Sequence, residues 1–253
     1  MMDWKDESLL SWASTPPSWA HSTILDWKEA FPREDELDVM KFVTAQTFEE
    51  SVAIDMRLVV GQWEHYAGQT WLDALCSPQW RPGKMQNAIE LADRNPAYYF
   101  NGEVKGGIHL SSVNGRDWYS NTDGNHRTVV AKFLSDMQFQ KTGKYPLVAG
   151  VHTHTYEVDW ESFNLFRALN SYKSIGINAY VKHESLSDSL FFFVADYRFN
   201  RRGKFEQLTP DRFRNYAKWV LHNNGYLTRG DILTHYWQWW FTNPEKLVFP
   251  TSN

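Results

Sequence analysis

The chain has 253 residues and a formal net charge of −4, and it is long enough for one large domain or two small ones with a substantial core. Aromatic residues make up 16% of it, including 13 tryptophans. No apolar run approaches the length of a membrane helix, and the acidic start is unlike a signal peptide. The single Cys76 excludes an internal disulfide framework and a multi-cysteine metal site, so we expect a cytoplasmic protein without a membrane segment.

Residues 1–46 predict an acidic, irregular N-terminal extension. Within residues 1–40, nine acidic residues outnumber three basic ones, and Pro16-Pro17 interrupts the segment. Tryptophans recur there at intervals of seven or eight positions, namely Trp4, Trp12, Trp19 and Trp27. Such large aromatic side chains are rarely left in water, so the spacing indicates repeated anchors against the rest of the protein.

A core with a helical lead-in is predicted over residues 47–200. Thr47-Phe48-Glu49-Glu50 has the pattern of a capping box, which predicts a helix from Thr47. The apolar face of that helix would consist of Val52, Met56, Val59 and Trp63. Residues 76–82 are predicted to form a loop, and residues 84–93 a second helix that Asn95-Pro96 ends.

A β-hairpin, a helix and a strand are predicted next. Residues 108–113 and 117–121 read as strands, and the turn Asn114-Gly115 between them is a strong hairpin signal. Apolar side chains then recur at helical spacing at Val130, Phe133, Leu134 and Met137. The opposite, polar face of this helix would carry Lys132, Ser135, Asp136 and Gln140. Residues 147–151 predict the following strand.

Between the hairpin and the helix lies Thr122-Asp123-Gly124-Asn125-His126-Arg127-Thr128. A glycine turn that opens a helix presents backbone N–H groups where the helix dipole favours an anion. The guanidinium of Arg127 can pair two phosphate oxygens at once, so residues 124–128 predict a phosphate cradle. Asp123 is the candidate acid, either as a general base or metal ligand beside His126 or as a turn residue. The alternative is that His126 and Arg127 only cap the helix.

This arrangement resembles the ParB/sulfiredoxin superfamily, in which a hairpin runs into a G-x-H-R loop at a helix N-terminus. Gly124-Asn125-His126-Arg127 matches that loop, and the resemblance extends over about residues 98–158. It implies a mixed α/β fold in which the loop holds the phosphates of a nucleotide, ATP or CTP, together with Mg²⁺ or Mn²⁺. Sulfiredoxin chemistry requires a cysteine where this chain has Asn125, so reductase activity is not expected.

His152 and His154 lie in the strand predicted after the motif helix. Residues at i and i+2 of a strand point to the same face, so the two rings could share a metal ion. A structural role is the alternative, because only Glu157 or Asp159 lies nearby in sequence as a third ligand. Gly106-Gly107, before the hairpin, indicates either a close approach of the backbone to a ligand or a β-bulge.

The remainder of the chain predicts a helix over residues 160–172, strands over 177–183 and 189–198, and a basic, aromatic, helical C-terminal region over 201–253. Its helices would begin at Thr209-Pro210 and at Thr228. Residues 198–229 contain eight basic residues against two acidic ones, and phenylalanines are interleaved with them. That composition suits contact with nucleic acid, or else it is an ordinary solvated surface. The candidate contact residues are Arg198, Arg201, Arg202, Lys204, Arg212 and Arg214.

The resemblance makes hydrolysis of a nucleoside triphosphate the leading expectation, with DNase activity beside it. Among proteins of that fold, ParB-like nucleases and plasmid fertility-inhibition proteins are the most similar in organisation. One alternative is a nucleotide-switched protein that inhibits a partner through an aromatic surface. Another is a small-molecule kinase, for which Glu103 or Glu157 would supply an additional catalytic carboxylate.

Overall fold

The computed structural model describes residues 8–33, 38–76, 83–103, 107–121, 124–170, 176–184, 189–197 and 206–222. These residues form a mixed α/β protein, as predicted, and the chain divides into two compact units, Met1–Val158 and Asp159–Asn253. The predicted extension of residues 1–46 is part of the first unit, and the division falls inside the predicted core of residues 47–200. Across the described ranges, no helix is both long and apolar enough to cross a membrane.

The described residues contain seven α-helices, nine strands and several short 3-10 turns. The helices are α1 (Leu9–Trp12), α2 (Trp27–Ala30), α3 (Trp71–Cys76), α4 (Lys84–Arg94), α5 (Asn125–Thr142), α6 (Trp160–Asn170) and α7 (Pro210–His222). The strands are β1 (Leu25–Asp26), β2 (Val43–Ile54), β3 (Val59–Gln62), β4 (His109–Val113), β5 (Asp117–Ser120), β6 (Val148–Val158), β7 (Ile177–Glu184), β8 (Ser189–Asp196) and β9 (Glu206–Leu208).

The first unit contains a six-stranded mixed sheet in the order β1-β3-β5-β4-β6-β2. Strands β1, β3 and β5 are parallel to one another, and β4 is parallel to β6. The antiparallel pairs are β4 with β5 and β6 with β2. Strands β3 and β5 therefore end at the same edge of the sheet, and α5 begins five residues after β5 ends.

The predicted β-hairpin is confirmed. Val113 faces Asp117 across the pair, and both Asn114 and Gly115 have positive φ values, 58° and 69°. Asn114 also ties the turn to β6, since its N–H donates to the carbonyl of Tyr156 and its Oδ1 accepts from the N–H of Val158. The turn chemistry of this segment, read locally, was therefore sufficient to locate the hairpin.

The helix predicted from Thr47 is wrong, because those residues form the edge strand β2. Thr47 pairs with Thr155, and Glu49 pairs with Thr153 on β6. The segment is rich in Thr, Val, Ile and Phe, which fit a pleated surface, and a partner strand outweighed a capping pattern that is only local. Val52 lies in β2, and Met56 lies in a 3-10 turn, Met56–Leu58, that joins β2 to β3.

Helix α5 forms where the motif helix was predicted, and it ends at Gly143 with a φ of 69°. Residues 128–138 are all buried, so Lys132, Ser135 and Asp136 of the predicted polar face are buried as well, while Gln140 is exposed. The N-terminal segment covers this face. The indole N–H of Trp19 donates to Oδ1 of Asp136 over 3.3 Å, and that of Trp12 donates to Gln140 over the same distance.

Tryptophan packing in the N-terminal segment agrees with the prediction for the three described positions. Trp12 and Trp27 are buried and Trp19 is partly buried against the core cluster, while Trp4 lies outside the described residues. The core between the helices and the sheet is centred on Phe133 of α5, whose ring contacts those of both Trp12 and Trp19. The N-terminal segment is thus an integral layer of the first unit.

The second unit contains an antiparallel sheet in the order β7-β8-β9 with helices α6 and α7. The predicted strand over residues 190–194 is confirmed, with Leu190, Phe192 and Val194 buried. Phe192 stacks on Phe213 of α7 with ring centroids 3.8 Å apart. Helix α7 begins at Pro210, as predicted, and the helix expected from Thr228 lies outside the described residues.

Candidate phosphate-binding site

Two glycines bring the backbone of the loop before β4 against the N-terminus of α5. Gly124 is the N-cap residue of α5 and has a φ of 87°, which favours glycine. A Cβ atom at Gly124 would overlap the carbonyl oxygen of Gly107. Gly107 is therefore where two segments of the chain approach closely, whereas the approach to a ligand considered for Gly106-Gly107 stays a prediction.

Arg127 lies over the same glycine. A Cβ atom on Gly107 would overlap the Nη1 atom of the Arg127 guanidinium, so any other residue here would have to displace that side chain. Helix α5 makes its first hydrogen bond from the Thr128 N–H to the Gly124 carbonyl, over 2.8 Å. In any α-helix the amides of the first turn have no helical acceptor, and here that turn also carries the guanidinium of Arg127. This end of α5 is rich in donors and positive charge.

Tyr99 adds a buried hydroxyl beside Arg127. Its side chain is fully buried, and among the described residues its hydroxyl has no hydrogen-bond partner. Burial raises the pKa of Tyr99, and the neighbouring Tyr98 raises it further. The positive charge of Arg127 acts in the opposite direction. Tyr99 therefore remains a neutral O–H donor at physiological pH, within electrostatic range of the guanidinium and without an acceptor among the described residues.

His126 is held by two residues from the segment after β3. The Tyr66 hydroxyl lies 2.7 Å from Nδ1 of His126, and the His65 ring stands edge-on to it with centroids 5.7 Å apart. Tyr66 is buried, and burial raises the pKa of its hydroxyl, so it stays protonated. A neutral His126 that accepts this proton at Nδ1 carries its own proton on Nε2.

A buried network of polar side chains holds the first turn of α5 in place. The Ser120 hydroxyl donates to Oδ1 of Asn125 over 2.6 Å, and Thr128 donates to the Ser120 hydroxyl over 3.3 Å. Gln62 donates from its side-chain amide to the Asn125 carbonyl. Within the described residues the Nδ2 group of Asn125 has no acceptor. Asn125 and Thr128 are buried, and the Thr128 hydroxyl serves this network.

The structure brings together four of the predicted loop residues, Gly124, Asn125, His126 and Arg127, at one end of α5. Thr122 and Asp123 lie outside the described residues, so the role expected for Asp123 stays a prediction. Sequence reasoning missed Gln62, Tyr66 and Tyr99. Gln62 was hidden because residues 47–63 were predicted to be a helix. Tyr66 and Tyr99 carry no local signal, since only the fold brings Tyr66 to His126 and Tyr99 within electrostatic range of Arg127.

The two candidate metal ligands of β6 lie on one face of the sheet. His152 of β6 faces His109 of the neighbouring strand β4, and their rings stack with centroids 4.7 Å apart. Both His152 and His154 contact the ring of Phe48 on β2. Burial lowers the pKa of His154, which lies 3.2 Å from Gln46. In the described part of the chain no three His, Cys, Asp or Glu side chains are placed to hold a metal ion. The metal role of His152 and His154 stays a prediction.

The carboxylates considered for a kinase are exposed and occupy different places. Glu157 lies near the end of β6, five residues beyond His152, which is about 16 Å along a strand. Glu103 lies just before residues 104–106, which are not described, and four positions before Gly107. Glu157 therefore lies far along β6 from His152 and its neighbour His109. Glu103, in contrast, is close in sequence to Gly107.

Two of the six candidate nucleic-acid contact residues, Arg212 and Arg214, lie in α7. Arg214 forms ion pairs with Asp159 at 2.6 Å, with Glu161 at 3.7 Å and with Asp211, all within the second unit. Burial raises the pKa of Glu206 in β9, and the positive charge of Arg212 partly opposes this effect. The other candidates, Arg198, Arg201, Arg202 and Lys204, lie outside the described residues.

Comparison of the chain with protein-family models, with curated proteins and with solved structures finds no match in any of the three. What can be said about function therefore depends on the geometry at the N-terminus of α5. That geometry has an excess of donors over acceptors, one guanidinium and one oriented histidine. An anionic group rich in acceptor oxygens would satisfy it.

Proposed function

We propose that the N-terminus of α5 binds the phosphate groups of a nucleoside triphosphate. The observation that carries the proposal is the placement of Arg127 against Gly107 at the N-terminus of α5, within electrostatic range of the Tyr99 hydroxyl, a fully buried donor without an acceptor among the described residues. A buried donor without a partner costs about 1–3 kcal/mol, which an acceptor oxygen of a ligand would offset. Helix N-termini favour anions for the same electrostatic reason.

The resemblance to the ParB/sulfiredoxin superfamily supports a nucleotide as the source of these phosphates. The proposal includes that fold for the first unit, since hairpin, G-x-H-R loop, helix and strand occur in that order. It also includes Mg²⁺ or Mn²⁺, which would neutralise phosphate charge when bound with the nucleotide. Mg²⁺ prefers oxygen ligands, and among the described residues the α5 N-terminus provides no carboxylate cluster, so the ion would be held mainly by the phosphates.

Each loop residue then has a distinct task. Arg127 pairs phosphate oxygens and stabilises the negative charge that develops on them during hydrolysis. His126, with Nδ1 directed to Tyr66, presents its Nε2–H as a donor. Gly107 and Gly124 keep the backbone close enough for these side chains to converge. We propose a nucleoside triphosphate hydrolase, with DNase activity as a second reaction of the same site.

A nucleotide-switched inhibitor of a partner protein is the second candidate function. The absence of clustered carboxylates among the described residues near α5 favours it, because metal-assisted hydrolysis commonly uses such groups. In that case the same loop binds the nucleotide and does not turn it over. Binding and turnover must therefore be measured together.

The test is equilibrium binding and phosphate release with ATP, CTP and GTP, with Mg²⁺ or Mn²⁺, in the presence and absence of DNA. We expect Arg127→Ala and His126→Ala each to weaken binding by about ten- to a hundredfold, the loss of one charged contact of roughly 1.5–3 kcal/mol. Arg116→Ala is the matched control, because Arg116 is exposed in the hairpin turn at the opposite end of β5.

The melting temperature separates binding from folding. All three variants should melt within a few degrees of the natural protein. If Arg127→Ala and His126→Ala bind every nucleotide as tightly as the natural protein, the loop only caps α5 and the proposal fails. Binding that depends on Arg127 without any turnover would favour the inhibitor.

A further inference from the structure

Five aromatic rings cluster on the sheet face that α5 does not cover. Trp118 belongs to the core on the α5 side, so its neighbour Tyr119 points to the other face of β5. Trp27 stands edge-on to Tyr119 at 5.2 Å. It also lies nearly parallel to Trp63 and to Phe31, with an interplanar angle of 20° in each case, and Phe31 contacts Tyr156. Part of the cluster is open to solvent.

A pocket of about 240 Å³ opens between these rings. Its walls are formed by Trp27, Phe31 and Trp63, and Lys28 and Glu64 at its rim form an exposed ion pair of 3.0 Å. Trp27 and Phe31 are almost fully buried, whereas Trp63 remains partly exposed and gives the pocket an accessible ring face. A volume of this size accommodates one flat heterocycle rather than a whole nucleotide.

The pocket walls also carry two donors without acceptors. The indole N–H groups of Trp27 and Trp63 are both buried and have no hydrogen-bond partner among the described residues. Buried indole N–H groups usually have a partner. The flat aromatic walls themselves suit a planar ring.

The pocket and the α5 N-terminus share one wall. Ser120 bonds to both, since its carbonyl accepts from the backbone N–H of Trp63 over 2.9 Å and its hydroxyl donates to Oδ1 of Asn125. Residues 62–66 run between the two places: Gln62 bonds to Asn125, Trp63 and Glu64 line the pocket, and His65 and Tyr66 contact His126. Ser120 and residues 62–66 therefore connect the pocket to the N-terminus of α5.

We propose that this aromatic pocket binds the base of the nucleotide whose phosphates the α5 N-terminus holds. The inference rests on the proposed function and assigns the chemical class of the ligand, a phosphate ester or anhydride that carries a planar heterocycle. Trp63 provides the stacking surface for the base. Arg127 and Trp63 then act on different parts of one ligand, so their effects can be separated.

The experiment measures binding of ATP, CTP and inorganic tripolyphosphate to the full chain and to Trp63→Leu, Trp63→Phe and Arg127→Ala. We expect Trp63→Leu to weaken nucleotide binding by about ten- to a hundredfold, because base stacking on an aromatic ring is lost. Trp63→Phe keeps a ring without the N–H group and should lose less. Neither should change the affinity for tripolyphosphate, whereas Arg127→Ala should weaken both ligands. Trp160→Leu, in the second unit, is the control.

Each outcome decides one of the two proposals. If tripolyphosphate binds in an Arg127-dependent manner but neither Trp63 variant weakens nucleotide binding, the base does not enter this pocket while the phosphate site stands. Equal weakening of nucleotide and tripolyphosphate by Trp63→Phe would also overturn the base site, because the ring would then only support α5. If neither ligand binds the natural protein, both proposals fail.

Discussion

At the scale of single residues, the N-terminus of α5 is unusual in the number of its donors that lack acceptors. Tyr99 is fully buried with an unpartnered hydroxyl, and Asn125 has an unpartnered Nδ2 group within the described residues. Buried polar groups are normally satisfied, so such positions point to a ligand or to ordered water. Because Arg127 adds positive charge to the first turn of α5, an anion is the simplest ligand there.

Tyr66 is expected to position His126 for that ligand. Tyr66→Phe removes the hydroxyl 2.7 Å from Nδ1, so the Nε2–H tautomer of His126 loses its support. We expect nucleotide affinity to fall by about three- to tenfold, less than for His126→Ala. The direct readout is the ¹⁵N chemical shift pattern of the His126 ring, in which the population of the Nε2–H tautomer should decrease.

Tyr180→Phe is the control for this substitution, because Tyr180 is 53% exposed and belongs to the second unit. An unchanged tautomer of His126 in Tyr66→Phe would show that Tyr66 only fills space beside the ring. A purely structural effect would lower the melting temperature without changing the ¹⁵N pattern.

At the scale of elements, two glycines with similar backbone angles bound α5 but differ in their surroundings. Gly124 has a φ of 87° and its missing Cβ would overlap the Gly107 carbonyl, whereas Gly143 has a φ of 69° and open space around it. The left-handed conformation disfavours alanine at both positions. Only Gly124 adds a collision with backbone, which a flexible side chain cannot relieve.

We therefore expect Gly143→Ala to destabilise the protein by about 1 kcal/mol and Gly124→Ala by roughly 2 kcal/mol more. The measurement is urea unfolding of both variants and the natural protein under one set of conditions. Gly124→Ala should also weaken nucleotide binding, because moving Gly107 displaces Arg127. Equal destabilisation by the two substitutions would contradict the close approach of Gly107 and Gly124.

At the scale of the whole molecule, Lys132 links three parts of the first unit. Its Nζ donates to the carbonyls of Met56 and Val59 over 2.7 and 2.8 Å and lies over the rings of Trp19 and Trp71. Burial lowers the pKa of Lys132 to about 8, partly opposed by Asp55 and Asp136. An almost fully buried cation on α5 thus holds the N-terminal layer and the β2–β3 connection together.

This pKa predicts how stability changes with pH. Between about pH 8 and the ordinary lysine value of 10.5, the unfolded chain keeps a proton on Lys132 that the folded chain has lost, so stability rises with pH. The gain should be on the order of 2–3 kcal/mol. Above pH 10 stability should fall again, because burial raises the pKa values of Tyr66, Tyr99 and Tyr119 and the unfolded tyrosines ionise first.

Urea unfolding from pH 7 to 10 checks this prediction. Lys132→Met should remove the rise between pH 8 and 10, whereas Lys144→Met, at an exposed position after α5, should retain it. A rise of the same size in Lys132→Met would assign the pH dependence to other groups.

The local signals in the sequence determined the hairpin at Asn114-Gly115, the start of α5 at Gly124, helix α4 and the strand over residues 190–194. In each case a turn residue or a strong apolar pattern acts over a few neighbouring positions, and no distant partner is needed. The tryptophan spacing of the N-terminal segment likewise indicated packing, because indole rings are rarely left in water.

Only the tertiary structure decided the state of residues 47–63, the burial of α5 and the composition of the site. Residues 47–54 became a strand because β6 offers a partner, and Lys132 became buried because Trp19 and Trp71 lie over it. Tyr66 and Tyr99 reach His126 and Arg127 from other elements of the fold. Such long-range contacts leave no trace in local periodicity, since they depend on which strands pair and which layers cover them.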